Sequence, residues 1–250
     1  MGLLKKIAAL AALVAASLVL TGPALTMTVQ PVVLDLTSYG SGMSRVVTVE
    51  NTFATKLPVE LRVEELKFDQ GQLVNTQSDP GDLLVFPPQA MIEPGETQSF
   101  RIQYVGDPEV AQSKHFYVTV AQLPVQLAEG QSAIQILYNF QVLVSVAPAE
   151  EKSALDVVSA SIATNREGKP VPSVSVSNSS NAHGYLSNGR LKITQRDASG
   201  KQIFSRSISG PEMLQIVGFG LVGANTTRTI QIPVELPSAE GSVDARFTPE

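Results

Sequence analysis

With 250 residues and a formal charge of −5, the chain lacks the basic surface that nucleic acid or an anionic membrane would need in a partner. Cysteine is absent, which excludes disulfide staples, thiol chemistry, cysteine-held metal and a lipoprotein anchor. Apolar burial must therefore hold the fold, and a chain of this length with 43% hydrophobic residues has enough to do so.

The first 24 residues read as a secretory signal. Lys5 and Lys6 form its positive start, Ile7 to Leu20 is apolar apart from Ser17, and Gly22-Pro23-Ala24 supplies small residues for cleavage after Ala24. The apolar run is shorter than the ~20 residues that span a bilayer, so export and removal are expected, with no membrane insertion afterwards.

From Met27 onward the pattern is β, with short alternating runs between Gly, Pro, Asn, Asp and Ser clusters and no convincing helical period. Thr28 to Leu36, Ser44 to Glu50, Val59 to Leu66, Leu83 to Phe86, Gln98 to Val105 and His115 to Leu123 read as strands. Glu93-Pro94-Gly95-Glu96 has the residues of a type II turn and is placed to join two strands across a sandwich.

Ile134 to Val146, closed by Ala147-Pro148, alternates throughout and reads as one long strand, well beyond the usual five or so residues. Ile134, Ile136, Tyr138, Phe140, Val142, Val144 and Val146 fall on one face, and Gln135, Leu137, Asn139, Gln141, Leu143 and Ser145 on the other. An end of that strand overhanging its own domain would offer apolar side chains beside unpaired backbone, a template for adding to another protein's sheet. With this strand the first unit, residues 25–148, has the strand count of an immunoglobulin-like sandwich.

The polar tract after Pro148 marks a boundary, and a second β unit is expected over 149–250. Its strands are Asp156 to Ile162, Ser173 to Ser177, Arg190 to Gln195, Gln202 to Ser207, Thr227 to Val234 and Ser242 to Thr248. The fold class is thus all-β, two immunoglobulin-like sandwiches.

Catalytic patterns are missing. There is no Gly-x-Ser-x-Gly elbow, phosphate-binding glycine loop or dinucleotide fingerprint, so neither an enzyme nor a cofactor is expected. His115 and His183 have no metal-pair spacing and read as satisfied or solvated imidazoles, so no metal is expected either. Asn178-Ser-Ser180 and Asn225-Thr-Thr227 match the glycosylation pattern, which is relevant only in a eukaryotic secretory route.

Taken in order, Phe86-Pro-Pro88, Ile92-Glu-Pro-Gly95, Phe100-Arg-Ile102, His115-Phe-Tyr-Val118, Gln122-Leu-Pro124 and the long strand to Pro148 resemble the PapD-like periplasmic chaperones of the chaperone–usher pilus pathway. Asn181-Ala-His-Gly-Tyr185 and Gly241-Ser-Val-Asp244 look most like its archaic, Csu-type branch. The resemblance implies two sandwich domains set at an angle, a periplasmic location, pilus or fimbrial subunits as clients and an outer-membrane usher as the receiving partner. Ile134, Ile136, Tyr138 and Phe140 would then be the donor residues that fill a subunit's open groove. Each large apolar side chain buried there is worth ~1.5–3 kcal/mol before ordering costs. Until a client arrives, the bare strand is expected to be capped in a homodimer.

The chain departs from that family where members carry an arginine and a lysine that grip the client's terminal carboxylate, since Val33 and Leu143 stand at those positions. Either the register is offset by a residue, or another cation among Arg45, Arg62, Lys114 and Lys152 takes over, or backbone amides hold the carboxylate. The charged residues that usually link the domains are likewise replaced, by Ser113 and Ala147. A structural or adhesive exported sandwich protein, such as a pilus subunit, and a chaperone-like protein with a diverged client are the alternatives. Against the subunit reading, the first domain has a full set of strands and no long N-terminal donor extension.

Overall fold

The computed structural model describes residues 27–124 and 136–250. The expected signal, residues 125–133 and Ile134 lie outside them. In chain order the first unit has β1 (Met27–Gln30), β2 (Val33–Thr37), β3 (Ser44–Asn51), β4 (Leu57–Asp69), β5 (Gln72–Asn75), β6 (Leu83–Phe86), β7 (Gln89–Ile92), β8 (Thr97–Tyr104), β9 (Lys114–Gln122) and β10 (Asn139–Ala147). The second has β11 (Leu155–Thr164), β12 (Pro170–Asn178), β13 (Gly184–Tyr185), β14 (Gly189–Arg196), β15 (Gln202–Ile208), a helix α1 (Gly210–Ile216), β16 (Leu221–Val222), β17 (Thr227–Gln231) and β18 (Ser242–Pro249).

Two sheets form the first sandwich, in the orders β1-β3-β8-β6 and β2-β10-β9-β4-β5, with β7 also paired to β4. Alternation sends Val47, Val49, Phe100 and Ile102 from one sheet against Phe116, Val118, Val142 and Val144 from the other, all without solvent exposure. The second unit has its own core, in which Val174, Ile193, Ile208 and Met213 are fully enclosed between β11-β12-β17 and β15-β14-β18. The expected all-β class holds.

Thr28 to Leu36, read as one strand, is two. Pro31 has no N–H to give a ladder, and the chain leaves one sheet as β1 and enters the other as β2. Among the described residues of the long run to Val146, the strand begins at Asn139, while Ile136, Leu137 and Tyr138 are irregular. Helix α1 was not foreseen, because seven residues give too few turns for a period; it plugs the second core with Met213. The Glu93–Glu96 turn links β7 to β8 in the opposite sheet as expected, with Glu96 N–H donating to Glu93 at 3.1 Å and Gly95 at φ +76°.

Each unit carries one buried asparagine that ends a strand and holds a loop. Asn51 donates to the carbonyls of Thr55 and Ile92 and accepts from Phe53 N–H. Asn178, 2% exposed, donates to the carbonyls of Ala182 and Gly223 and accepts from Ala154 and Ser180 N–H. The first of the two glycosylation-like triplets is therefore a structural staple, its amide closed to modification in the folded chain. Asn178→Leu strands several buried backbone groups and is expected to cost on the order of 2–4 kcal/mol in urea unfolding. A loss below about 1 kcal/mol would show that the loops hold without it.

Candidate functional site

The outer face of the β2-β10-β9-β4 sheet is built in rows by strand register. Asp35, Ser145, His115 and Leu66 are neighbours across the four strands. The next row is Val33, Leu143, Tyr117 and Glu64. Below it lie Gln141, Thr119 and Arg62, and then Asn139, Ala121 and Glu60. Ser145 and His115 in the first row are buried under the second unit, the second row is half-buried, and Asn139 and Gln141 face water.

A polar relay joins the first row to the second unit. His183 Nε2 lies 2.9 Å from Asp35 Oδ1, and the Tyr185 hydroxyl donates to that same oxygen at 2.8 Å. His183 Nδ1 is 2.9 Å from Ser113 Oγ, which also accepts the His183 backbone N–H. Ser113 N–H reaches the Asn181 carbonyl, so Ser113, which stands where a linking charge was expected, does link the units. Deeper in, His115 Nδ1 meets Ser145 Oγ at 2.9 Å, and Tyr185 Oη lies 3.3 Å from the same serine. Five rings, Phe68, His115, His183, Tyr185 and Phe219, run edge to face across the junction with centroids 5.2–6.0 Å apart. Phe68 is seated over Gly223, where an added Cβ would fall 2.4 Å from the ring.

Burial would raise the Asp35 carboxyl, yet hydrogen bonds from His183 and Tyr185 and the nearby imidazole outweigh it and hold the group below its ordinary value. The carboxylate keeps 57% of its side chain in water, so its charge costs little to keep. Burial pushes His115 down to about 3, with His183 adding to the shift, and leaves the ring neutral. Burial and Asp35 raise the Tyr185 phenol. Ser113, His183 and Asp35 are spaced like a hydrolytic triad, the serine oxygen also accepts the amide of the same histidine, and together they fasten the second unit to the first. Among the described residues no cluster of three or more His, Asp or Glu is arranged for a metal, and no helix is long and apolar enough to cross a membrane.

Val33 and Leu143, the positions where cations were expected, are register partners on β2 and β10. Phe219 lines a recess with Val33 on one side and another with Leu143 and Tyr117 on the other. The floor beneath it is thus apolar. Of the expected substitutes, Arg62 pairs with Glu60 at 2.6 Å and Lys114 with Asp82 at 2.7 Å, Arg45 belongs to the opposite sheet, and Lys152 is exposed beyond β10. A cation the sequence reading passed over, Arg228 on β17, lines the Leu143 recess. Its signal was parity, which puts it on the buried face with Ile230.

Of the expected donor residues, Ile134 lies outside the described residues. Ile136 is 69% exposed, whereas Tyr138 and Phe140 are half-buried against the first core, Tyr138 with its ring 6.0 Å from Phe53. Strand β10 has β9 on one side throughout, but on the other it pairs with β2 only over Leu143–Ala147. Among the described residues, its first four, Asn139 to Val142, have an open edge.

Residues 27–152 match the family described as pili and flagellar-assembly chaperone, PapD N-terminal domain. No curated protein matches the chain. Among solved structures, a chain from the Salmonella enterica SafA pilin–SafB chaperone complex is similar with a TM-score of 0.53 at 15% identity, over 92% of this chain and 99% of that one. The Acinetobacter baumannii CsuC–CsuE chaperone–tip subunit complex gives 0.50 at 14%, over 88% and 97%. A chaperone–tip adhesin complex of CFA/I fimbriae gives 0.51 at 12%, over 90% and 100%. At these identities the likeness is one of fold.

His115 gives the junction an acid limit. Folded, it titrates near 3, and unfolded near 6.5, so between those values the unfolded chain binds more protons and stability falls as pH falls. The slope approaches about 1.4 kcal/mol per pH unit. Asp35, also held low, adds to the loss at the acid end. In chemical unfolding from pH 7 to 4, His115→Gln is expected to flatten this dependence, and an unchanged slope would remove His115 as its source.

Proposed function

Because the chain belongs to the pili and flagellar-assembly chaperones with a PapD N-terminal domain, we propose that it is a periplasmic chaperone that binds pilus or fimbrial subunits by strand addition and passes them to an outer-membrane usher. The observation that carries this reading is the open edge of β10 over Asn139–Val142, continuous with an exposed Ile136. An edge left unpaired beside apolar side chains recruits a strand. Residues 25–148 are the client-binding domain and 149–250 the second. Ile134, Ile136, Tyr138 and Phe140 enter the client, while Val142, Val144 and Val146 keep the strand in its own core. The role is non-enzymatic, and before a client binds two copies cover each other's edges. That similar folds were solved with a pilin and with tip subunits supports this class of client.

Three substitutions along one strand separate binding from folding. Ile136→Asp is expected to abolish recovery of small β-rich subunits from a periplasmic extract while shifting stability by less than about 0.5 kcal/mol, as an exposed site should. Tyr138→Asp is expected to lose both, since its ring is packed on Phe53. Val142→Asp, at a site with no solvent exposure, is expected to unfold the domain. Equal recovery by wild type and Ile136→Asp would mean that the run only closes its own sandwich.

A further inference from the structure

Strand β4 outruns its own sheet. Its last pair with β9 is Leu66 and His115, and beyond that it runs on as a two-stranded hairpin with β5, in which Lys67, Phe68 and Asp69 pair with Val74, Leu73 and Gln72. Gln70 at φ +48° and Gly71 at φ +76° close it as a two-residue turn with both central residues left-handed, the kind whose twist suits a hairpin. Phe68 and Leu73 are opposite each other and half-buried, while Lys67 and Val74, on the other face, are exposed. The half-buried face is turned to the second unit: Phe68 sits on Gly223, and Leu73 lines a recess with Phe219 and Leu221.

Two glycines make the fit close. An added Cβ at Gly71 would fall 2.5 Å from the Thr227 carbonyl oxygen, and one at Gly223 closer still to the Phe68 ring, against ordinary carbon separations of about 3.5–4.0 Å. On the second unit, Asn178 donates to the carbonyls of both Ala182 and Gly223, and Asn225 N–H donates to the Ser180 carbonyl. The loop that carries His183 and the loop that carries Gly223 are thus one stapled block, gripped by the relay at one place and by the hairpin at another. Two of the relay's bonds converge on Asp35, which is on the edge strand β2, whereas the hairpin lies at the opposite edge of the sheet. Three strand spacings across and three residue pairs along separate Asp35 from the hairpin tip, roughly 17 Å in all. The relay resists sliding, and a stop at that distance from it resists tilting.

We propose that the β4–β5 hairpin is a brace that holds the second unit against tilting on the relay, with Phe68, Gly71 and Gly223 as its positioning residues. It thereby sets the width of the cleft above Val33 and Leu143, where anything paired to the open edge of β10 must fit. That a strand does pair there rests on the preceding reading, and the brace does not.

The chain has no cysteine, so spin labels at Thr97→Cys and Lys192→Cys, two exposed sites with one in each unit, report the distance between the units. Wild type is expected to give one narrow distribution. Gly223→Ala forces the ring back by about 1 Å. Over that lever arm this is a tilt of about 3°, expected to move the mean by about 2 Å at labels ~30 Å from the pivot. Adding Phe68→Leu, which shortens the side chain that the methyl meets, is expected to bring the mean back. Gly71→Asn tests the other contact, since asparagine tolerates a left-handed φ and keeps the turn while its Cβ crowds the Thr227 carbonyl, and it is expected to move the mean as well. Amide exchange at Val118 and Ile193, one in each core, is expected to stay slow throughout. If Gly223→Ala loses either core, Gly71→Asn alone decides. An unmoved, narrow distribution in the folded glycine variants, or a shift in Gly223→Ala that Phe68→Leu leaves in place, overturns the proposal. Recovery of β-rich subunits from a periplasmic extract by the same variants separates the brace from strand addition: a moved mean with recovery unchanged upholds the brace and takes the second unit out of the client's site.

Discussion

The contact between His183 and Asp35, made across 148 residues of chain, fixes how the two sandwiches stand to one another. Neither core supplies that contact, because each closes on itself. What joins them is a set of directional bonds with little tolerance for sliding: one carboxylate oxygen takes both an imidazole and a phenol, and one serine takes the amide and the ring of the same histidine. An apolar junction of similar area would have let one sandwich shift on the other. A satisfied polar junction specifies a single arrangement, and a low dielectric strengthens it.

That arrangement makes the cleft. Phe219 ends the ring series that begins at Phe68, so the relay that fastens the domains also sets the wall between the Val33 and Leu143 recesses. The sheet beneath passes from buried to exposed along the direction of its strands. Ser145 and His115 lie under the second domain, Leu143 and Tyr117 at its rim, and Gln141 and Asn139 beyond it. Folding constraints dominate at one end of β10 and solvent at the other, within nine residues.

Much of this was legible in the chain. Parity along Val142 to Val146 separated core from outer face correctly. The six strands expected in the second unit were recovered to within a few residues because turn clusters bracket them, while the two-residue strands β13 and β16, too short to alternate, were missed. Pairings were not legible. His115 and His183 read as unrelated imidazoles because nothing local shows that a strand and a distant loop stack 5.4 Å apart. Asp35 gave no local sign of its part in the junction, and Asn178 read only as the start of a glycosylation-like triplet, since burial of a polar side chain is decided by what folds over it. The overlong reading of β10 has a different cause: alternation records which way side chains point, while a strand also needs a partner for its backbone.

Strand β10 is threaded into its own core by Val142, Val144 and Val146, none of which has any exposed surface. A slip of one residue would bring Leu143 and Ser145 inward and push those valines out, which the packed interior forbids. The residues toward its open end are therefore indexed in space by a part of the strand that no partner touches. Any chain that pairs there must match a phase set in advance, and one with the right side chains spaced half a repeat out would present its polar face where its apolar face is needed. Selectivity between sequences of similar composition can thus arise from phase alone.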